Sequence, residues 1–529
     1  MNKNNLQQVL IVFVLFITGL VSCQNKEKPL NVVLITADDL GYEAVNSFGR
    51  DIPDITPQMD AFAKEGVQFA EAHTATPICQ PSRAIMATGL YGVSSGMMGF
   101  IHKKKDVATA MEVFQDNGYL TGILGKVNHS TPPMDFVWDF MVDYGDLGAG
   151  RSPKKYSENT RLFIERCKKE DKPFYFMINS HDPHRGFHDP NGKKHKGAEE
   201  PSRIFSIDEV EVPGYMPQTD QVKKELSHYY NSVRRFDDTF GAVIKVIKEA
   251  GVYENTIIIV LSDNGSAFPF AKANAYVAST KTPFYVHYPG HMKKGLIDTE
   301  HMISEVDIFP TFLDATGIKV DQKFDGKSIL PLLKGKKQKD RDYVIGEIDY
   351  KIGGKATPIR SYGDKKFRYI FNPWTPTGYA YRNSNEGQIN KDIEANHPEH
   401  MRYVEFFRHR VLEEFYDVQK DPDATTNLIN DPAYAKQIEE YRSALKQWMV
   451  DKKDPVLGML ENVDKPEKMQ EYIDSDFPTK RGLMPQAQIE KAKAKAAEKA
   501  KRKSKKSNDK KALERAAKRK AKKKRELQG

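Results

Sequence analysis

Cysteine is scarce in this chain, which has three among its 529 residues: Cys23, Cys79 and Cys167. A fold held together by many disulfides is therefore excluded, although disulfides are permitted in exported proteins. One alternative joins Cys79 to Cys167. The other gives Cys23 and Cys79 separate chemical roles and leaves Cys167 without a partner.

Long apolar runs are also scarce. The run from Val9 to Leu20 is too short to span a bilayer comfortably as a mature helix. It continues into Leu20-Val21-Ser22-Cys23, which resembles a bacterial lipobox. We expect a signal peptide over residues 1–22, a lipid on Cys23 that attaches the chain to a membrane, and a tether over residues 23–30. The alternative is a simple secretory signal cut nearby. Both predict an exported bacterial protein, located in the periplasm or at the outer membrane and cell surface.

The net charge of +9 is unevenly distributed. Residues 490–529 contain 19 Lys and Arg against 5 Asp and Glu, a net charge of +14, so the rest of the chain has a net charge of −5. No apolar stripe runs through this tail, which predicts disorder or a transient helix. The tail either holds a polyanionic polysaccharide or an acidic membrane surface by charge, or is solvated without a specific partner. Export argues against nucleic acid as a partner.

Four apolar runs end in polar residues of the kind an active site uses. They are Val32–Thr36 before Asp38 and Asp39, Leu120–Leu124 before Lys126 and His129, Phe174–Ile178 before His181 and His184, and Thr256–Leu261 before Asp263 and Asn264. Helical patterns lie between them, at Thr56–Gly66, Ala108–Gly118, Asn159–Lys169 and Val222–Gly251. Such runs suit a parallel sheet covered on both faces, whose ligand sites lie at the C-terminal ends of strands. The pattern predicts an α/β domain with one site at the sheet edge.

The sequence pattern changes near residue 340. Shorter strand-like pieces follow at Tyr343–Ile348 and Lys366–Phe371, and a last helix is predicted near Ala433–Val450. We therefore predict a catalytic domain over residues 31–340 and a smaller C-terminal α+β domain over residues 341–450. An extended arm over residues 451–485 and the Lys-rich tail over residues 486–529 complete the predicted organisation.

Asp38, Asp39, Asp263 and Asn264 form two oxygen-rich pairs at the ends of two predicted strands. Each pair alone is weak evidence, because Asp and Asn are common in turns. Together they offer hard oxygen ligands, which suit Ca²⁺ first and Mg²⁺ second. Zn²⁺ is disfavoured because thiolate and imidazole ligands are lacking in this set.

Residues 79–89 read Cys-Gln-Pro-Ser-Arg-Ala-Ile-Met-Ala-Thr-Gly. Pro81 and Ser82 can open a helix whose N-terminal amides favour an anion, and Arg83 keeps its charge at any working pH. The stretch resembles the signature of type I sulfatases, and the similarity to that family extends from Asn31 to Gly317. It implies an alkaline-phosphatase-like sandwich with a large, mostly parallel sheet flanked by helices. It also implies oxidation of Cys79 to formylglycine by a separate maturation enzyme.

The resemblance further implies a role for each matching residue. In that family a hydrate of formylglycine attacks sulfur beside a metal ion, here one Ca²⁺ held by Asp38, Asp39, Cys79, Asp263 and Asn264. The implied catalytic set is Cys79, Arg83, Lys126, His129, His181 and Lys272. His181 is expected to protonate the leaving group and His129 to regenerate the aldehyde. His129 lies three residues after Lys126, whereas many sulfatases have two, so Asn128 is the alternative. His184, Arg185 and Lys281 are the expected substrate contacts.

The middle of the chain most resembles heparan N-sulfatases. The matching segments are His181–Arg185, Val212-Pro213, Ser262–Gly265 and Phe268-Pro269, with Lys272 standing where those enzymes have an arginine. A lipid-anchored chain with a Lys-rich tail also resembles bacterial enzymes that degrade algal polysaccharides such as ulvan. The leading expectation is an O-sulfate ester of an algal glycan, and the alternative is the N-sulfate of a heparan-type glycan.

Two other functions compete with a sulfatase. A phosphatase or phosphodiesterase of the same superfamily is the nearest, but those relatives usually have Ser or Thr as the nucleophile. A glycan-binding surface lipoprotein that has lost catalysis is the second. The complete set of acidic and basic residues around Cys79 argues against such a loss.

Overall fold

A computed structural model describes residues 28–471, apart from residues 50, 51, 101–105, 134, 351–356, 379, 382–385, 466 and 470. The strands of its large sheet are β1 (Asn31–Asp38), β2 (Val67–His73), β3 (Leu120–Leu124), β4 (Phe140–Val142), β5 (Phe174–Pro183), β6 (Thr256–Ser262), β7 (Phe284–His287) and β8 (Leu296–Ser304). Their order in the sheet is β4-β3-β5-β1-β6-β7-β2-β8. Neighbouring strands are parallel except where β7 pairs with β6 and β2. The predicted mostly parallel sheet is thus confirmed.

The α-helices of the described residues lie mainly between these strands. They are α1 (Pro57–Glu65), α2 (Cys79–Thr88), α3 (Gly92–Ser95), α4 (Ala110–Asp116), α5 (Val127–Ser130), α6 (Pro153–Glu170), α7 (Asp220–Glu249), α8 (Val277–Thr280), α9 (Ile308–Thr316), α10 (Leu330–Leu333), α11 (Ile389–Asn396), α12 (Met401–Arg408), α13 (Ala435–Lys452) and α14 (Leu457–Leu460). None of them is long and apolar enough to cross a membrane.

Strand β1 lies near the middle of the sheet and is buried along its whole length. Its alternate residues enter two different cores, Val33 and Ile35 on one face and Val32 and Leu34 on the other. Helices α6 and α7 cover the first face, and α4 and α9 cover the second. Burial on both faces explains why the strand reads as a continuous apolar run, since every side chain faces a helix.

A second, antiparallel sheet follows in the chain. Its strands are β9 (Val344–Ile348), β10 (Ile359–Gly363), β11 (Phe367–Phe371) and β12 (Glu413–Asp417), in the order β12-β11-β10-β9. Helix α13 packs on it through Tyr441, whose ring meets the rings of Tyr362 and Phe367 edge to face. The predicted smaller C-terminal α+β element is present, and both sheets belong to one compact unit that ends at Gln470.

The predicted arm over residues 451–485 differs from the structure at its beginning. Asp454 is buried and accepts hydrogen bonds from Arg360 at 2.6 and 3.0 Å, and the short helix α14 buries Met459 and Leu460. Asp454 neutralises the buried Arg360 of β10, and Met459 and Leu460 pack in the core. This part of the predicted arm therefore belongs to the folded unit. The signal peptide, Cys23 and the tail over residues 486–529 lie outside the described residues.

A buried ion triad fixes the end of β5. Asp182 is fully buried and accepts hydrogen bonds from Arg235 of α7 at 2.7 and 3.0 Å. It also pairs with Arg151, which precedes α6. Burial alone would raise the pKa of Asp182, but the two arginines lower it by more. The net pKa lies below its ordinary value, so the carboxylate stays charged. The triad thereby ties α7 and the loop before α6 to the strand that delivers His181 and His184.

We predict that Asp182→Asn lowers the thermal unfolding midpoint, at a cost of about 3–5 kcal/mol, because it leaves two buried arginines without their anion. Asp208→Asn, at an exposed position, is the matched control and is expected to stay within about 0.5 kcal/mol. Differential scanning calorimetry of both variants provides the comparison. Equal unfolding midpoints for the two variants would contradict a structural role of the triad.

Candidate active site

Functional side chains gather at one edge of the large sheet because seven of its strands run in the same direction. Asp38 ends β1, Lys126 follows β3, Asp263 follows β6, and Cys79 is the first residue of α2 after β2. Asp39 and Lys126 have φ angles of 70° and 51°, in the left-handed region. Non-glycine residues seldom adopt this conformation, and such backbone strain is concentrated at functional sites.

Three carboxylates form the centre of the site. One oxygen from each of Asp38, Asp39 and Asp263 lies within 4.8 Å of the others, and all three residues are fully buried. The amide nitrogen of Asn264 donates to Asp39 Oδ1 at 2.8 Å. The side-chain carbonyl oxygen of Asn264, Oδ1, is buried and accepts no hydrogen bond from any described residue. Three crowded carboxylates and an orphaned amide oxygen form a set of hard ligands that a divalent cation fits.

The Cys79 thiol lies against this cluster. Its Sγ is 3.2 Å from Asp38 Oδ1 and 3.2 Å from the Lys272 ammonium. Burial and then Asp38 raise the pKa of the thiol well above its ordinary value. Cys167 lies in α6, buried in the core on one face of the sheet, and both cysteines are free. The alternative of a Cys79–Cys167 disulfide is therefore wrong.

Each carboxylate pairs with a basic side chain. Lys126 pairs with Asp38, Lys272 pairs with Asp39, and Arg83 holds Asp263 through Nε at 2.9 Å and Nη2 at 2.7 Å. Burial opposes the charge on Lys126 and Lys272, yet Asp38 and Asp39 respectively raise the pKa of each lysine above its ordinary value. All three cations are at most 8 % exposed, so the site places three basic side chains and three carboxyl groups together away from water.

A second set of polar residues positions Arg83. Its Nη1 donates to Thr36 Oγ1 and Asn179 Oδ1, both at 2.7 Å. Asn179 also donates to the carbonyl of Gly125 at 3.1 Å and so links Arg83 to the turn that presents Lys126. Sequence reasoning missed Thr36 and Asn179. The available signal was their position as the polar ends of apolar strands β1 and β5.

Of the three histidines, His184 is the one that forms a group with Asp38 and Cys79 among the described residues. One of its ring nitrogens lies within 4.8 Å of ligand atoms of Asp38 and Cys79, and Nε2 is 3.9 Å from Asp39 Oδ2. His181 packs against Tyr144 at 4.9 Å between ring centroids. Burial, followed by Lys126, lowers the pKa of His129 to about 4 and of His181 to about 2, so both rings are neutral at neutral pH. The roles given to His129 and His181 stay predictions.

The other residues that the sequence suggested for the site are Asn128, Arg185 and Lys281, and they differ in their surroundings. Asn128 is exposed, whereas His129 is half-buried. Arg185 pairs with Glu225 at 2.6 Å and stacks on Phe187 at 4.6 Å. The structure does not bring Lys281 to the carboxylates, because its ammonium is held by Glu71 at 2.9 Å. That engagement separates Lys281 from Lys272, the lysine that contacts the thiol.

Sequence reasoning also missed Glu305, which follows β8. Its buried carboxyl accepts from the amides of Ala75 and Thr76 at 3.0 and 3.4 Å and contacts Ser82 Oγ at 2.5 Å. Burial raises its pKa well above the ordinary value. Because Ala75 and Ser82 lie on either side of Cys79, Glu305 fixes both flanks of that residue. No local pattern around residue 305 points to this contact.

Comparison with known proteins agrees with this geometry. The family model described as "Sulfatase" matches residues 30–318, and "N-sulphoglucosamine sulphohydrolase, C-terminal" matches residues 266–372. Fold and site thus define a hydrolase with an alkaline-phosphatase-like architecture. The chain belongs to the sulfatase family and is a sulfuric ester hydrolase.

Individual relatives cover most of the chain. Human N-sulphoglucosamine sulphohydrolase is 28% identical over 81% of this chain and 92% of its own length. An ulvan-active sulfatase of Formosa agariphila is 25% identical over 84% of this chain and 81% of its own length. Among solved structures, a 2-O GAG sulfatase matches with a TM-score of 0.61 and 20% identity, over 80% of this chain and 93% of that one. The last similarity concerns the fold alone.

We predict that Glu305→Ala lowers kcat about 10- to 100-fold, because it leaves two buried amides and Ser82 without their partner, at about 1–3 kcal/mol per unsatisfied group. Glu305→Gln keeps an acceptor for the amides and is the matched control, with kcat within about threefold of the parent. The measurement is the initial rate on an aryl sulfate, normalised to the protein concentration of each preparation. Identical rates for both variants would remove Glu305 from the positioning of residue 79.

Proposed function

We propose that this protein removes sulfate groups from sulfated glycans, with a formylglycine derived from Cys79 as nucleophile and one bound Ca²⁺. The observation that carries this proposal is the position of Cys79. Its side chain lies 3.2 Å from a carboxylate and 3.2 Å from an ammonium group, at the buried edge of the sheet. A separate maturation enzyme would supply the oxidation of the thiol, since nothing in the described site is an oxidant.

Asp38, Asp39, Asp263 and Asn264 would hold the cation, together with the side chain of residue 79. The orphaned amide oxygen of Asn264 supports this assignment. When bound, the ion supplies a Lewis acid for a sulfate oxygen and lowers the pKa of a coordinated hydroxyl. A divalent ion added to three carboxylates and three cations leaves an excess of two positive charges. That excess favours an anionic sulfate group over a neutral ester.

The basic residues would bind and orient the sulfate. Lys126 reaches the cluster from the end of β3 and Lys272 from the loop after β6, on opposite sides of β1 in the sheet, and both stay protonated. Arg83 lies beneath them and holds Asp263 in place. Fixed positive charge that needs no rearrangement stabilises the charge that develops on sulfate oxygens as the bond to the leaving group breaks.

A histidine would supply the proton that the leaving oxygen or nitrogen needs. His184 supports this role through its distance, because it lies with Asp38 and Cys79 within 4.8 Å. His181 is the assignment made from sequence position, and it lies three residues earlier, within β5. His129, beside Phe100 at 5.8 Å, remains the candidate for accepting a proton when the aldehyde is regenerated.

We predict that the matured enzyme hydrolyses 4-nitrocatechol sulfate at least about 100-fold faster than the matching aryl phosphate, and that its mass is about 18 Da below the unmodified chain, since a thiol has become an aldehyde. Cys79→Ala is expected to abolish hydrolysis. Cys167→Ala, the matched control, is expected to keep it. A full-length chain that retains the thiol after expression in its native host, and is inactive on both esters, would favour a glycan-binding protein instead.

The substrate we propose is an O-sulfate ester on an algal glycan such as ulvan. Similarity to an ulvan-active sulfatase over 84% of this chain supports it. The proposed export signal and the lipid on Cys23 fit an enzyme that meets polysaccharide in the periplasm or at the cell surface. The second candidate is the N-sulfate of glucosamine in heparan-type glycans. The match of residues 266–372 to the N-sulphoglucosamine sulphohydrolase C-terminal model favours that candidate.

We predict sulfate release from ulvan oligosaccharides, measured by ion chromatography on a panel that also contains N-sulfoglucosamine and heparan oligosaccharides. Inactive Cys79→Ala enzyme is the blank for each substrate. Activity confined to the N-sulfated sugars would replace the algal substrate by the heparan type. Activity on neither class, with aryl sulfate still hydrolysed, would overturn both substrate assignments and leave the enzyme class intact.

A further inference from the structure

A cleft of about 820 Å³ opens beside the site, between the loop before α7, the segment after β6, helix α12 and the loop after β12. Its volume lies in the range of ligand pockets. Six aromatic side chains line it: Tyr215, Phe270, Tyr276, Tyr403, Phe406 and Tyr416. The cleft therefore offers flat apolar faces in a concavity that the carboxylate cluster and Cys79 do not line.

The aromatic floor of the cleft surrounds a buried arginine, Arg410. The guanidinium carbon of Arg410 lies 4.9 Å from the ring centre of Phe270, 5.0 Å from that of Tyr276 and 5.6 Å from that of Phe406. Arg410 also donates to the Tyr276 hydroxyl at 2.5 Å. Cation–π contacts with a desolvated guanidinium are stronger than those at exposed sites. Arg410 therefore holds these rings in place, and a ligand can stack on them without reordering the side chains.

One wall of the cleft is continuous with the catalytic lysine. Phe270 and Tyr276 are separated by a stretch that contains Lys272, whose ammonium contacts the Cys79 thiol. Arg410 donates to Asn274 Oδ1 at 2.8 Å, and the Asn274 amide donates to the carbonyl of Lys272 at 2.9 Å. A molecule lying on this wall is therefore adjacent to the segment that presents Lys272 to the sulfate.

The cleft also has polar groups that a sugar can use. The hydroxyl of Tyr403 is buried and has no hydrogen-bond partner among residues 28–471 as described. Arg402 lines the cleft, is exposed, and forms no ion pair with any described residue. Aromatic faces pack against the apolar C–H faces of sugar rings, while a phenol and a guanidinium bind hydroxyl and sulfate oxygens.

From these features we propose that the cleft is a glycan subsite, which binds the sugar residues next to the one that loses its sulfate. The inference rests on the proposed function, and it adds where on the protein the neighbouring sugar residues bind. A sugar ring packs on Phe406, its hydroxyl bonds to Tyr403, and Arg402 at the rim attracts the negative charge of neighbouring sulfated residues. Binding there places the scissile group at residue 79 and raises kcat/KM for chains over single sugars.

The test uses the matured full chain and two probes: 4-nitrocatechol sulfate, and the tetrasaccharide fraction of whichever glycan releases sulfate. Phe406→Ala is expected to lower kcat/KM on the tetrasaccharide about 10- to 100-fold through lost stacking. Tyr403→Phe, which removes only the phenolic oxygen, is expected to lower it about 3- to 10-fold. Both variants are expected to stay within about twofold of the parent on the aryl sulfate. Glu405→Ala, exposed on the same helix α12, is the matched control and leaves both rates unchanged.

Three outcomes would overturn the subsite. One is an unchanged tetrasaccharide rate in both variants, and another is an equal loss on tetrasaccharide and aryl sulfate. The third is capture of a protein partner by the cleft with no change on either probe. Unchanged thermal unfolding of Tyr403→Phe guards against a folding defect. A parent enzyme that cannot hydrolyse aryl sulfate would count against the proposed function. In that case, line broadening of a desulfated tetrasaccharide in NMR, lost in Phe406→Ala, still tests the subsite.

Discussion

The buried pairing of three carboxylates with three cations is the interaction on which the rest of the site depends. Asp38, Asp39 and Asp263 meet at one edge of the sheet, and each is neutralised by one basic side chain. Isolated charges at this depth would cost several kcal/mol each. Three acidic and three basic side chains are tolerated at this depth only because each lies beside one of opposite charge. The Cys79 thiol lies inside this balanced cluster, so its surroundings are set before any substrate arrives.

The fold creates that balance by bringing distant segments to one place. Residues 38, 126, 182 and 263 lie at, or directly after, the C-terminal ends of four parallel strands, whose shared direction puts these ends side by side. Buried links then hold the ends in register: Asn179 joins Arg83 to the turn before Lys126, Asp182 joins β5 to α7, and Glu305 joins both flanks of Cys79. The second sheet and its neighbours contribute Arg410, which braces the segment of Lys272. The carboxylate cluster is thus surrounded by buried polar links inside an apolar frame.

Much of this arrangement could be predicted from the sequence. The runs at Val32–Thr36, Leu120–Leu124, Phe174–Ile178 and Thr256–Leu261 became β1, β3, β5 and β6, because a strand buried on both faces is apolar throughout. The polar residues at their C-terminal ends marked the site, because parallel strands bring these ends to one edge of the sheet. Strands β2, β4, β7 and β8 were not predicted. Strands β2 and β8 are interrupted by polar residues, and β4 and β7 are only three and four residues long.

Other features depend on tertiary contacts that no local pattern encodes. The grouping of His184 with Asp38 and Cys79 depends on how the chain leaves β5 after Pro183. Lys281 and Lys272 look alike in sequence, and only the position of Glu71 separates them.

The most direct test of the central claim is a crystal structure of the matured enzyme with Ca²⁺. The account predicts one ion within about 2.3–2.6 Å of oxygens from Asp38, Asp39, Asp263 and Asn264, next to an oxidised residue 79. Three carboxylates still paired with Lys126, Lys272 and Arg83, with the ion bound elsewhere or not at all, would contradict it.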